Sequence, residues 1–296
     1  MNPGLSGVFP MLVTPFDSSD RVAFDDLTGI ADYQLKAGVA GLSILGLAGE
    51  SGNLTSAERM AIVRCVLSVT KGVPVIVGCT ASDTNEAIML SLDAVQLNAS
   101  IIMVAPPSNC AWSREDLMEH YARIANAIAP TPLMVQDAPA FVGVSLDPAF
   151  ISDLTGICSN VRYTKPESVP AADAIARLST LAGVRTFGGH GGLYCPEVLE
   201  AGAHGLIPGC EQPRAFQQIF ASWTSGDEST ARQVFYSILP LLVWQFQSLD
   251  CFIASVKTIL HRQGLIQHRS IRGRSWPMAD VSERILLKHA RQAGAI

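Results

Sequence analysis

The chain has 296 residues, of which 48% are hydrophobic and 16% charged, enough for one large α/β barrel or two smaller domains with much of the chain buried. Its net charge of −5 is offset by no basic cluster, which argues against nucleic acid or an anionic membrane as partner.

Taken in order, Met1–Phe16 lacks a basic n-region and is interrupted by prolines, so it does not read as a signal peptide. Gly7–Val13 is an apolar strand ending at Thr14-Pro15, and Asp25–Ala37 has helical spacing with Asp25 and Asp26 in its first turn. Strand-like Gly41–Leu47 leads through a Gly-rich turn into a helix over Ser56–Thr70. Pro74–Cys79 and Ser100–Ala105 read as strands, each followed by a helix: Thr84–Leu97, then Ser113–Ile128 with Ser113 as N-cap. Pro132–Gln136, Val161–Thr164, Arg185–Phe187 and Gly205–Ile207 complete a set of eight short strands. Such strands alternating with helices predict a parallel sheet buried on both faces. We therefore expect a single (β/α)8 barrel domain over residues 1–296, with a C-terminal helical extension from about residue 212. Ser237–Val256 is apolar but carries Pro240, Gln245, Gln247 and Asp250; it predicts a buried or interface helix rather than a membrane span.

Seven cysteines, an odd number, form no C-x-x-C pair, which fits a reduced, cytoplasmic compartment. No clustered His/Asp/Glu pattern points to a metal.

The chemistry concentrates at Val161-Arg162-Tyr163-Thr164-Lys165-Pro166-Glu167-Ser168. Lys165 is the one lysine that ends a predicted strand. Side chains two apart on a strand share a face, roughly 6–7 Å apart at Cα, so Lys165 and Glu167 project together. An amine and a carboxylate so placed can form an imine with a carbonyl substrate and move a proton at the neighbouring carbon. The competing reading is an ion pair at a strand end. Pro166 removes a ladder donor, so the strand is expected to stop at Lys165 and Glu167 to turn from the ideal alternate position. The second strand ends Leu45-Gly46-Leu47-Ala48-Gly49-Glu50-Ser51, a turn whose backbone N–H groups can hold an anion or can simply be a turn.

Gly7-Val8-Phe9-Pro10-Met11-Leu12-Val13-Thr14-Pro15-Phe16, the Gly46–Glu50 turn, a proline-containing fifth-strand end, the sixth-strand lysine and Gly202-Ala203-His204-Gly205-Leu206-Ile207-Pro208-Gly209 follow one another in that order. Together they resemble the dihydrodipicolinate synthase and N-acetylneuraminate lyase family of class I aldolases, across nearly the whole chain. The resemblance implies a (β/α)8 barrel assembled as a homo-oligomer, a tetramer or dimer, acting on a 2-oxo acid through a covalent lysine imine and no cofactor. Lys165 would be that lysine, the turn at Leu47, Ala48 and Gly49 would receive the substrate carboxylate, and the carbonyl of Ile207 would face the pocket.

The departures are informative. Leu47 and Ala48 stand where family members carry hydroxyls, Gln136 of Gln136-Asp137-Ala138-Pro139 where they carry a shuttle tyrosine, and Phe141 where synthases place an arginine. A second tyrosine falls at about Ser108. A glutamine amide cannot shuttle protons, so Glu167 is expected to take the C3 proton of the imine. This points to dehydration of a 2-keto-3-deoxy sugar acid, and Gln-Asp-Ala-Pro with Lys-x-Glu resembles the 2-keto-3-deoxy-L-arabonate dehydratase branch, whose product is a semialdehyde. Pyruvate-dependent aldol cleavage and a non-catalytic 2-oxo acid binding protein are the alternatives. His190, after strand seven, sits either against substrate hydroxyls or in a solvated loop; Asp137 and Ser108 either bind hydroxyls or cap helices; His204 packs before strand eight.

Overall fold

The computed structural model describes residues 4–273 and 276–296; Met1–Pro3, the start of the Met1–Phe16 stretch that does not read as a signal peptide, lie outside them. Eight strands form one parallel sheet: β1 Gly7–Val8, β2 Leu42–Ile44, β3 Val75–Gly78, β4 Ile101–Val104, β5 Leu133–Asp137, β6 Val161–Pro166, β7 Arg185–Gly191 and β8 Gly205–Pro208. Neighbours run β1-β8-β7-β6-β5-β4-β3-β2, and Met11, just past β1, bridges to both Ser43 and Gly209, which sets β2 beside the β1 segment and closes the barrel. This is the expected (β/α)8 barrel. Its strands are short apolar runs because both faces are covered, by one another inside and by helices outside.

The helices start where local chemistry starts them. Thr55 and Glu58 form a capping box ahead of Ser56–Thr70, and Ser113 with Asp116 forms another ahead of Arg114–Ile128. Inside the barrel, Phe9, Tyr163 and Phe187 pack edge to face, with centroids 5.6 and 6.0 Å apart. Gly41 and Gly205 make that layer possible, since a Cβ at either would run into the Phe9 or Phe187 ring. Among the described residues, four helices follow β8: Pro213–Thr224, Glu228–Gln245, Leu249–Arg262 and Asp280–Gln292.

Two expectations are corrected. The single apolar segment Ser237–Val256 is two helices, broken at Phe246–Ser248, where the Ser248 hydroxyl caps the second by accepting from Cys251 N–H at 3.0 Å. Pro240 lies inside the first helix and is not the break. No helix among the described residues is long and apolar enough to cross a membrane.

The other correction concerns β6, which runs through Pro166 rather than ending at Lys165. Pro166 pairs with Asp137 of β5, and the next donor, Glu167 N–H, bonds the Asp137 carbonyl at 2.6 Å. Donors alternate between neighbours along a strand, so the one Pro166 lacks faces β7, whose pairing with β6 has already stopped at Thr164 and Thr186.

Candidate active site

Lys165 and Glu167 meet at the C-terminal mouth of the barrel, where barrel chemistry is found. Lys165 Nζ donates to Glu167 Oε2 at 2.9 Å, and the two residues are only 6% and 4% exposed. Glu167 has therefore not turned away. Gln136, level with Lys165 on β5, donates its amide to the same Oε2 at 2.7 Å, and His190 N–H donates to Oε1 at 2.7 Å. The Gln136 amide orientation follows from its partner, because an ionised carboxylate only accepts.

Burial pushes the Glu167 carboxyl up, but the Lys165 ammonium, the His190 N–H and the Gln136 amide outweigh it, leaving the group below the usual glutamate value of 4.5. Burial also pushes the His190 imidazole down from 6.5, so at neutral pH the ring is uncharged.

His190 is buried, not a solvated loop residue. β7 continues to Gly191 through a register shift between Gly188 and Gly191, and His190 adopts φ +51°, which turns its N–H toward Glu167. Its ring packs against Tyr194, Phe246 and Phe141 at 5.1, 5.8 and 6.4 Å. Asp137 is spoken for elsewhere: it accepts from Leu146 N–H at 2.8 Å and from the Ser168 hydroxyl. Ser108 is exposed and does not line the pocket. His204 directly precedes β8, its Nδ1 beside Thr186, as expected.

Leu47–Gly49 forms a short 3-10 turn facing Lys165 across the pocket. The N–H groups of Leu47 and Ala48 have no hydrogen-bond partner among the described residues, whereas those of Gly49 and Glu50 close the turn. The turn is entered through Leu45 at φ +57°, whose carbonyl lies so close to Gly78 that a Cβ there would not fit. Two free donors on a rigid turn suit a carboxylate. With Lys165, Glu167, Gln136 and Ile207 they surround a cavity of about 30 Å³.

Among the described residues no group of three or more His, Cys, Asp or Glu side chains could hold a metal ion. A larger cavity of about 670 Å³ opens at the opposite end of the barrel around Arg162 and Arg185, away from this cluster.

Residues 4–295 match the Dihydrodipicolinate synthetase family. The chain belongs to this family. L-2-keto-3-deoxyarabonate dehydratase of Azospirillum brasilense is 31% identical over 271 residues, covering 89% of this chain and 86% of that protein. 4-hydroxy-tetrahydrodipicolinate synthase of Methanocaldococcus jannaschii is 28% identical over 261 residues, covering 87% and 88%. The solved structure of dihydrodipicolinate synthase from Thermotoga maritima superposes with a TM-score of 0.91 at 26% identity, covering 99% of both chains. Membership makes the chain a lyase-class enzyme of the dihydrodipicolinate synthetase family, with dehydratase and synthase relatives at comparable distance.

Within this family barrel, sequence reasoning passed over the upper wall of the pocket: Met11, Pro208, Gly191, Phe246, Leu249 and Phe252. Phe246 and Leu249 flank the helix break, and a Ser at position 248 was the available signal for it. Phe141, noted only as a missing arginine, lines the same wall. Lys257 was also passed over; it is fully buried, but it does not line the pocket.

Proposed function

We propose that this enzyme dehydrates a 2-keto-3-deoxy sugar acid, of the 2-keto-3-deoxy-L-arabonate kind, through an imine on Lys165. The observation that carries the reading is the Lys165–Glu167 pair in a pocket with no tyrosine in its lining among the described residues. The similarity to the Azospirillum dehydratase supports it.

Lys165 hands a proton to Glu167 and its free amine attacks C2; the C2 oxygen leaves as water with that proton and a second from the nitrogen, while the N–H groups of Leu47 and Ala48 hold the C1 carboxylate. Glu167 takes a C3 proton and the electrons pass into the enamine. The enamine expels the C4 hydroxyl, which departs as water with the proton Glu167 had taken. A proton then leaves C5 and one returns to C3. The resulting C4–C5 enol becomes the aldehyde, and hydrolysis of the imine frees the semialdehyde. Gln136 and His190 N–H hold Glu167 in place; neither moves a proton.

Aldol cleavage would use the same imine, and similarity to the synthases keeps it as the second reading. A silent 2-oxo acid binder is disfavoured by the retained lysine. We further place the enzyme in the cytoplasm as a homo-oligomer, tetramer or dimer, acting on a small 2-oxo acid and needing no cofactor.

The test has two stages. Pyruvate with borohydride should add mass to a peptide containing Lys165, and trapping that persists in Lys165→Ala would sink the imine assignment. Offering 2-keto-3-deoxy acids should then yield semialdehyde; pyruvate as product would reassign the chemistry to cleavage.

A further inference from the structure

Glu50, directly after the Leu47–Gly49 turn, is 3% exposed and sits at φ +57°, a region a non-glycine residue enters only when its surroundings hold it there. Its carboxylate is gripped on both oxygens. Oε1 contacts the Nζ of Lys257, and Oε2 accepts from Arg272 N–H at 2.9 Å. Lys257 is 0% exposed, also donates to the Ser270 carbonyl at 2.6 Å, and lies 4.5 Å from the centre of the Phe16 ring, against which the Arg272 guanidinium packs at 4.4 Å. On the other flank, the Thr14 hydroxyl donates to the Gly49 carbonyl at 2.7 Å.

The helix bearing Lys257, Leu249–Arg262, also presents Leu249 and Phe252 to the pocket. One helix therefore both walls the pocket and anchors the residue that ends the anion-receiving turn.

We infer that Lys257 is a positioning residue, whose buried ion pair with Glu50 fixes the Leu47–Gly49 turn and so sets the affinity for the 2-oxo acid carboxylate without touching it. The inference rests on the proposed role of that turn. A pair this deeply buried is not explained by stability alone, because apolar residues of similar volume usually serve stability as well or better. What the ion pair adds is one defined position for Glu50, and with it the direction of the Leu47 and Ala48 N–H groups.

That distinction supplies the experiment. Lys257→Met alone leaves an unpaired buried carboxylate and tests folding as much as binding. The informative variant is Glu50→Leu/Lys257→Met, with Lys257→Arg beside it. The double variant should melt within a few degrees of the parent yet need about 10–100-fold more pyruvate for half-maximal borohydride trapping, the range for losing a well-aimed hydrogen bond to a charged group. The trapping rate at saturation should stay near the parent's, and Lys257→Arg should recover part of the affinity.

A folded double variant with unchanged half-saturation would overturn the inference. So would a double variant that fails to fold while Lys257→Arg folds and binds pyruvate as the parent does. Calorimetric titration of pyruvate into Lys165→Ala, with and without the double substitution, reads carboxylate affinity where no imine can form. Absence of trapping in the parent would remove the imine reading. The inference would then stand or fall on the calorimetric difference alone.

Discussion

Glu167 has both oxygens engaged and a buried position, yet its carboxyl is held in the ionised form by Lys165, His190 N–H and Gln136. Glu167→Gln keeps the shape and removes the proton acceptor. Its turnover should drop about 10²–10⁴-fold; imine trapping at Lys165 should survive, and exchange of the C3 protons of bound pyruvate with deuterium oxide should slow in parallel. Dehydration at near the parent rate would leave Glu167 an ion-pair partner only.

The pH dependence has a definite sign. A base with a lowered folded pKa stays ionised into acid, so activity should persist as pH falls and be lost only below the usual glutamate value of 4.5. An acid limb near neutrality in kcat/KM against pH would contradict this. The nearest histidine, His190, cannot substitute as a cation at neutral pH, because burial disfavours its charged form.

At the scale of elements, the site depends on β7 coming close to β6. Gly189 marks the approach: a Cβ there would run into the Glu167 carboxylate. Gly189→Ala should fold, since the change lies at a strand end, but should cost turnover about 10²-fold, as expected when a reacting group is displaced by about 1 Å. A melting temperature near the parent's with lost activity is the expected pairing.

Element existence was largely legible from the chain, for local reasons. The Ser56–Thr70 helix and the Ser113 N-cap were legible, and the capping boxes that start both helices act within a few residues. The extension of β6 through Pro166 was not legible, because it depends on which neighbour the absent donor faces, a property of the sheet and not of the strand. Nor was the length of β7, where Gly188–Gly191 reads locally as a glycine turn but is drawn into pairing with β8. The Lys165–Glu167 pairing was visible in two-residue spacing. Phe246, Leu249, Phe252 and Lys257 reach the site or its support by folding back from the far end of the chain, and no local pattern announces that.

For the molecule as a whole, membership of the dihydrodipicolinate synthetase family settles the barrel and the lyase class, while the side chains lining the mouth decide among the family's reactions. Gln136 and Phe141 stand where a shuttle tyrosine and a carboxylate-binding arginine are expected in a synthase, and both line this pocket. Condensation of pyruvate with aspartate semialdehyde should therefore be undetectable above the uncatalysed rate; a robust rate in a coupled assay would refute that. Among the described residues, the polar side chains of the lining are Lys165, Glu167 and Gln136, joined through Glu167. Beyond these three, no side chain in the lining among the described residues offers a hydrogen bond to a longer hydroxylated tail.

The opening these residues ring is narrow: a water-sized sphere finds only about 30 Å³ in it, room for a water molecule or two. Phe141, Phe246 and Phe252 rim that opening, so a 2-oxo acid enters and its product leaves between their rings. Passage through this apolar rim, rather than long-range charge attraction, should set the encounter rate. The association rate should be nearly indifferent to ionic strength and sensitive to solvent viscosity.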